Sequence, residues 1–319
     1  MIHYSSHNSK KRFEKGRGFP PCTALFYFYP RRYNDCMRHE TITLPCHYAG
    51  KLNNGGFSPY MTTYLLDNYA EVDENRRRPL VLICPGGAYE YLSPREAEPI
   101  ALRMNALGFN AAVVTYTTKP RQFPVAACDL AEAVYYARSH ADEWHIYADN
   151  IIVCGFSAGG HLAATLGCYW SSGLFADYLP YKPTDIQPNA LLLCYPVITA
   201  DKRFCHEGSI ENVMGDNCID RNVVSLEHHV NADVPPTFIW HTFADQAVPV
   251  ENSLLFADAL RKAGVPFEFH LFARGGHGLA LATEETSAHN GNTVEAECAV
   301  WPELFARWEA EAAGKSLGM

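Results

Sequence analysis

The chain of 319 residues contains no apolar run approaching the roughly 20 residues that a membrane-crossing helix needs, so no membrane partner is expected. Positive charge is scarce. With 26 Lys and Arg against 35 Asp and Glu, the formal charge is −9, and a nucleic-acid partner, which must be met by clustered cations, is not expected either. No C-x-x-C pair and no H-E-x-x-H occurs, so neither a metal site nor a cofactor is predicted. Internal repeats and low-complexity linkers are also missing, which favours one domain over several.

Cysteine, by contrast, is plentiful. The 11 cysteines are odd in number, and Cys84, Cys154 and Cys194 fall inside apolar strand-like runs. They read as small buried hydrophobes in a reducing compartment, which points to the cytoplasm. Residues 1–36 stand apart. Lys10, Lys11, Arg12, Lys15 and Arg17 precede "CTALFYFY", an order that faintly resembles a secretory leader. Prolines interrupt that segment and no small-residue cleavage site follows. Residues 1–36 are therefore expected to form a poorly ordered extension, with secretion left open by it, and residues 37–319 a single domain.

From Thr41 onward strand-like and helix-like segments alternate. "ETITL" and "YMTTYLLD" suggest an antiparallel pair, followed by the buried-strand runs "LVLIC", "NAAVVTY", "IIVC", "NALLLCYPV", "PPTFIWHTF" and "PFEFHLF". Helical spacing appears after Pro94, after Pro124, after Ser157, around "VENSLLFADALRKAG" and at the C-terminus. In "SPREAEPIALRMNALG" a capping box is expected, with Ser93 as cap, Pro94 at the first position and Glu96 three residues on. Alternation of this kind predicts a mostly parallel sheet with helices on both faces. Residues 199–234 are too long for a plain connector and form a candidate lid.

The chemistry centres on "NIIVCGFSAGGHLAATLG". A buried strand turns into a helix at Ser157, with Gly155 and Gly159 on either side, which is the G-x-S-x-G nucleophile elbow. A serine hydroxyl needs a base, and the base needs an orienting carboxylate. Such partners should follow the carboxyl ends of strands, where Asp245 and His277 both fall. Ser157, Asp245, His277 is the chain order of nucleophile, acid and base in an α/β-hydrolase. The glycine turn in "CPGGAY" supplies backbone N–H groups of Gly87 and Ala88, which with that of Ala158 would form the oxyanion hole.

Other residues compete for these roles. Asp201 also follows a strand and is a second candidate for the acid, while His161 lies one turn beyond Ser157 and is assigned to helix packing. His241 and His270 read as satisfied strand residues, and Glu96 as structural through its capping box. Arg95 is a candidate substrate contact. Tyr89, Tyr91 and Trp170 could line a pocket or belong to the core. Cys154 is expected to pack within the sheet.

Across Met37 to Leu281 the segments "PGGAYEYLSPREAEPIALR", "NIIVCGFSAGGHLAA", "CYPVIT", "GSIENVMG", "PPTFIWHTFADQAVPVENSLLFADALRKAGVPFEFHLF" and "GGHGL" resemble the esterase branch of the α/β-hydrolases. That branch includes acetyl xylan esterase-like and feruloyl/acetyl esterase-like carbohydrate esterases. The resemblance implies an α/β-hydrolase fold, triad roles for Ser157, Asp245 and His277, and short acyl esters of sugars as substrates, especially acetyl groups on xylo-oligosaccharides. Pro85 stands where many lipase-like relatives carry His. A peptidase, amidase or lactonase of the same fold, or a non-catalytic ligand-binding relative, is the alternative reading, and a homo-oligomer is left open.

Overall fold

In the strand β3 (Arg78–Cys84) every residue is buried, and the side chains divide by parity. Leu80, Leu82 and Cys84 belong to one core, Val81 and Ile83 to the other. A two-residue period with apolar groups on both sides is what a strand covered on both faces must show. The same division runs through β4 (Asn110–Thr115), β5 (Ile146–Phe156), β6 (Ala190–Cys194) and β7 (Thr237–Thr242). With β1 (Thr41–Thr43), β2 (Tyr60–Tyr64) and β8 (Phe267–Phe272) they make an eight-stranded sheet of order β1-β2-β4-β3-β5-β6-β7-β8. β1 and β2 pair antiparallel, as does β2 with β4, and every other pairing is parallel. This computed structural model describes residues 37–216, 219–288 and 293–312, so the extension expected at 1–36 lies outside the described residues.

Helices cover both faces. α1 (Glu98–Ala106) and α7 (Trp301–Ala312) bring Ile100, Met104, Trp301 and Phe305 to one core. α2 (Val125–Ser139), α3 (Ala158–Tyr169) and α6 (Glu251–Ala263) close the other with Leu130, Leu162, Phe256 and Leu260. The short α4 (Pro183–Ile186) adds Ile186 to that core. Among the described residues no helix is long and apolar enough to cross a membrane.

The segment 199–234 carries α5 (Glu207–Met214) and two 3-10 turns, Arg221–Val224 and Leu226–His228. Its apolar side chains Ile210, Val213, Val224 and Leu226 pack into the α2/α3/α6 core. Asn252 of α6 ties down its start, its Oδ1 accepting from the N–H groups of Ile198 and Thr199 at 2.8 and 3.0 Å.

The capping box at Ser93 is not formed. Pro94–Glu96 makes a single 3-10 turn, Ala97 leaves the helical region, and α1 starts only at Glu98. Ser93 makes no side-chain cap, and the Glu96 carboxylate reaches instead to the N–H of Gly86 and the hydroxyl of Tyr195, at 2.8 and 2.7 Å. A carboxylate this buried needs a donor on each oxygen, and tertiary donors meet that need better than its own helix end.

The joint between β5 and α3 depends on absent side chains. A Cβ on Gly155 would collide with the Gly159 carbonyl, and one on Gly159 with the Cys84 carbonyl of the neighbouring strand. His161, on the first turn of α3, is fully buried. Its Nε2–H donates to the Val224 carbonyl and its Nδ1 accepts from the Tyr89 hydroxyl, both at 2.9 Å. Burial pushes its pKa down to about 4.

Two outcomes follow for stability. Gly159→Ala should lose about 2–3 kcal/mol in urea unfolding, whereas Gly208→Ala, where a Cβ meets only the His206 Cε1 at 3.7 Å, should be neutral or stabilising by up to ~1 kcal/mol. Between about pH 6.5 and 4 the unfolded chain takes up a proton that folded His161 refuses, so stability is full above that window and lost as pH falls through it. Chemical denaturation at pH 7 and pH 4.5 should show a steeper loss for wild type than for His161→Gln; equal losses would contradict the buried neutral imidazole.

Candidate active site

β5 delivers Ser157 to the carboxyl end of the sheet, and α3 begins at the next residue. Ser157 is held at φ 52°, ψ −118°, a conformation that side-chain-bearing residues rarely adopt. Backbone bonds on both sides fix it there. Its N–H donates to Cys194 O at 3.0 Å, and its carbonyl accepts from Val197 N–H at 3.0 Å and His161 N–H at 3.1 Å. The turn projects Oγ toward the loop after β8, where His277 meets it. Nε2 of His277 lies 2.8 Å from Ser157 Oγ, and its Nδ1 lies 2.7 Å from Asp245 Oδ2.

Asp245 follows β7 and is almost completely buried. Its Oδ1 accepts from the N–H groups of Ala247 and Val248, both at 2.9 Å. Oδ2 is shared between His277 and His241, whose Nε2 is 3.3 Å away. Burial works against ionisation at this carboxyl, but hydrogen bonds from His241 and His277 outweigh it and hold the pKa well below the usual carboxylate range. His241 is itself fixed, with Nδ1 accepting from Ser253 Oγ at 2.8 Å and Nε2–H directed also at Val248 O at 3.0 Å. An ionised Asp245 makes His277 Nδ1 the donor and leaves Nε2 as the acceptor for the serine proton.

The glycine turn after β3 lies against the elbow: a Cβ built on Gly86 would stand 3.0 Å from the Ser157 Cβ. Gly87, Ala88 and Tyr89 all have positive φ, at 130°, 55° and 56°. Among the described residues no protein acceptor engages the N–H of Gly87, Ala88 or Ala158, while the Ala88 carbonyl is held by Asn212 Nδ2 at 2.8 Å. These three N–H groups are therefore available to a ligand, at the N-terminus of α3 and on the turn beside it.

The remaining candidates go elsewhere. Asp201 is taken up by Arg203, whose guanidinium and backbone N–H hold the Asp201 pKa down to about 2. His161 faces Tyr89 and Val224, to which both of its ring nitrogens are bonded. Arg95 bonds the carbonyls of Gly278 and Thr286 at 2.9 and 3.2 Å. Tyr89 is buried, Tyr91 is exposed, and Trp170 donates to Asp233 O. Cys154 is buried in the sheet, where burial raises its thiol pKa far above the ordinary range. His270 pairs with Glu268. Among the described residues no group of three His, Cys, Asp or Glu is placed to hold a metal ion.

Sequence reasoning missed two residues packed against this site, His241 and Glu96. His241 precedes Asp245 by four residues in "HTFAD", but only the bend after β7 turns its ring back toward the carboxylate. Glu96 was hidden by a capping pattern that its own helix does not use.

Comparison with known proteins places this geometry. The chain is 35% identical over 237 residues to Endo-1,4-beta-xylanase B of Butyrivibrio fibrisolvens, covering 72% of this chain and 36% of that one. It is 28% identical over 217 residues to the Acetylxylan esterase of Xylanibacter ruminicola, covering 66% and 43%. The chain thus spans between a third and a half of the length of these curated relatives. The crystal structure of an acetyl ester-xyloside bifunctional hydrolase from Caldicellulosiruptor lactoaceticus superposes with a TM-score of 0.74 at 35% identity, covering 88% of this chain and 98% of that one. The BD-FAE family profile matches residues 66–260, more than half of the chain. With that match, and with a largely parallel eight-stranded sheet clad by helices on both faces, the chain belongs to the BD-FAE family and has the α/β-hydrolase fold.

Proposed function

We propose that this protein is a serine esterase that cleaves short-chain carboxylic esters, with acetyl esters of carbohydrates such as xylo-oligosaccharides as the substrate class. The observation that carries the reading is the relay from Ser157 Oγ through His277 to Asp245, with links of 2.8 and 2.7 Å. It is supported by the names of its relatives, an acetylxylan esterase and an acetyl ester-xyloside hydrolase among them.

In this reading His277 Nε2 takes the Ser157 proton as Oγ attacks the ester carbonyl carbon. The oxygen becomes an oxyanion received by the N–H groups of Gly87, Ala88 and Ala158. Losing one donor of this kind costs roughly 3 kcal/mol of transition-state stabilisation. The tetrahedral intermediate collapses as His277 returns the proton to the departing alcohol. Water, deprotonated by the same imidazole, then attacks the acyl-enzyme and releases the carboxylic acid. Asp245 remains ionised throughout and stabilises the imidazolium.

Three measurements test this. Ser157→Ala should lower p-nitrophenyl acetate hydrolysis by about 10⁴-fold or more and abolish fluorophosphonate labelling, with its circular dichroism unchanged. A folded Ser157→Ala protein that keeps wild-type turnover rejects the mechanism. Asp245→Asn should lower kcat by about 10⁴-fold, through the wrong tautomer of His277. Across a p-nitrophenyl ester series, together with acetylated xylo-oligosaccharides, acetyl and propionyl esters should exceed octanoyl. A preference for long chains would remove the carbohydrate-esterase reading and leave a lipase-like one.

A further inference from the structure

Outside the Ser157–His277–Asp245 relay, one carboxylate touches the machinery from behind. Glu96 is only 3% exposed, and among the described residues it has no cationic partner. A charge of this kind is costly to bury, and hydrogen bonds to both oxygens are what compensate it. Oε2 accepts from Gly86 N–H at 2.8 Å, and Oε1 from the Tyr195 hydroxyl at 2.7 Å. The Tyr195 oxygen in turn accepts from Ala280 N–H at 2.9 Å.

Each end of this chain is a loop that the reaction uses. Gly86 precedes the candidate oxyanion donors Gly87 and Ala88, and it is gripped twice, because its carbonyl also accepts from Ser93 N–H at 2.9 Å. Ala280 lies three residues past His277, in a stretch where Gly278, Ala280 and Ala282 all have positive φ. Such a stretch keeps its shape only if its surroundings hold it. Tyr195 also presents its ring edgewise to His277, with centroids 5.1 Å apart. Arg95, next to Glu96, binds the same loop through the Gly278 and Thr286 carbonyls.

We propose that Glu96 is a positioning residue that sets the spacing between the oxyanion donors and the base by bridging Gly86 to Ala280 through Tyr195. The proposal rests on the esterase reading and extends it. Two parts of the site arise some 190 residues apart in the chain (Gly87 and His277), and their separation must match one tetrahedral intermediate. A misplacement of about 1 Å is enough to cost about 100-fold in rate. A carboxylate suits the bridge because it accepts at both oxygens and forms shorter, stronger hydrogen bonds than a neutral acceptor. An amide would have to turn an NH₂ toward either the Gly86 N–H or the Tyr195 hydroxyl, and one bond of the bridge would weaken.

The test compares wild type, Glu96→Gln, Tyr195→Phe and the double variant, reading kcat and KM on p-nitrophenyl acetate and amide hydrogen exchange at Gly86 and Ala280. Glu96→Gln should lower kcat about tenfold or more with KM little changed, since the interaction lost matters in the transition state. Exchange should quicken at both amides. Tyr195→Phe should quicken Ala280, with a smaller fall in kcat, and the double variant should fall by less than the product of the two. A Glu96→Gln protein with wild-type kcat, or one whose kcat falls while both amides keep their protection, overturns the proposal. Should Glu96→Gln fail to fold, Tyr195→Phe decides, and an unchanged kcat in it is the overturning result. A wild-type protein that turns over no ester would instead sink the esterase reading, while amide exchange would still show whether Glu96 couples the two loops.

Discussion

The constraint on which the site depends is the backbone of Ser157. Its φ of 52° is tolerated because everything around it has been arranged to accept it. Two glycines clear the strand-to-helix crossing, Cys194 and Val197 bind the serine peptide from the β6 side, and α3 takes its first hydrogen bond from His161 N–H to the serine carbonyl. Only with that turn in place does Oγ rise clear of the sheet toward His277. The parallel order of β3, β5, β6, β7 and β8 then brings the glycine turn, Asp245 and His277 to one edge, because parallel strands end on the same side.

Around the elbow the site is built from donors with defined directions. Asp245 receives two backbone N–H groups and two imidazoles, so its charge is fully engaged before any substrate arrives. In the proposed reaction that arrangement would spare reorganisation, since the carboxylate facing His277 is already held by its donors. Glu96 likewise accepts a hydrogen bond at each oxygen, from Gly86 N–H and the Tyr195 hydroxyl. The two acidic groups differ in their partners: Asp245 faces His277 directly, whereas Glu96 bonds Gly86 and Tyr195.

Much of this was readable from residue patterns, and the exceptions share a cause. The buried strands announce themselves by continuous apolar runs, and the elbow by Gly155 and Gly159, whose spacing is a local steric requirement. Asp245 and His277 could be picked out because each follows a strand. Glu96 could not, since its partners, Gly86 and Tyr195, are brought to it by sheet order and packing. The pattern Ser93-x-x-Glu96 was a true local signal that lost to tertiary donors. His241 is a satisfied strand residue, as its place in β7 implies, but its share in Asp245 depends on a bend that no periodicity reports. Asp201 also follows a strand and so stands as the second candidate in sequence; an arginine two residues along captures it.

The placement of Cys84, Cys154 and Cys194 has its own consequence. All three are buried near the carboxyl ends of β3, β5 and β6, immediately beneath the elbow, with no open path to solvent. Peroxide or alkylating agents can reach these sulfurs only when neighbouring strands part. Chemical ageing at the heart of this protein is therefore timed by how often its sheet breathes, and a bound ligand that suppresses such openings would lengthen its working life in an oxidising milieu.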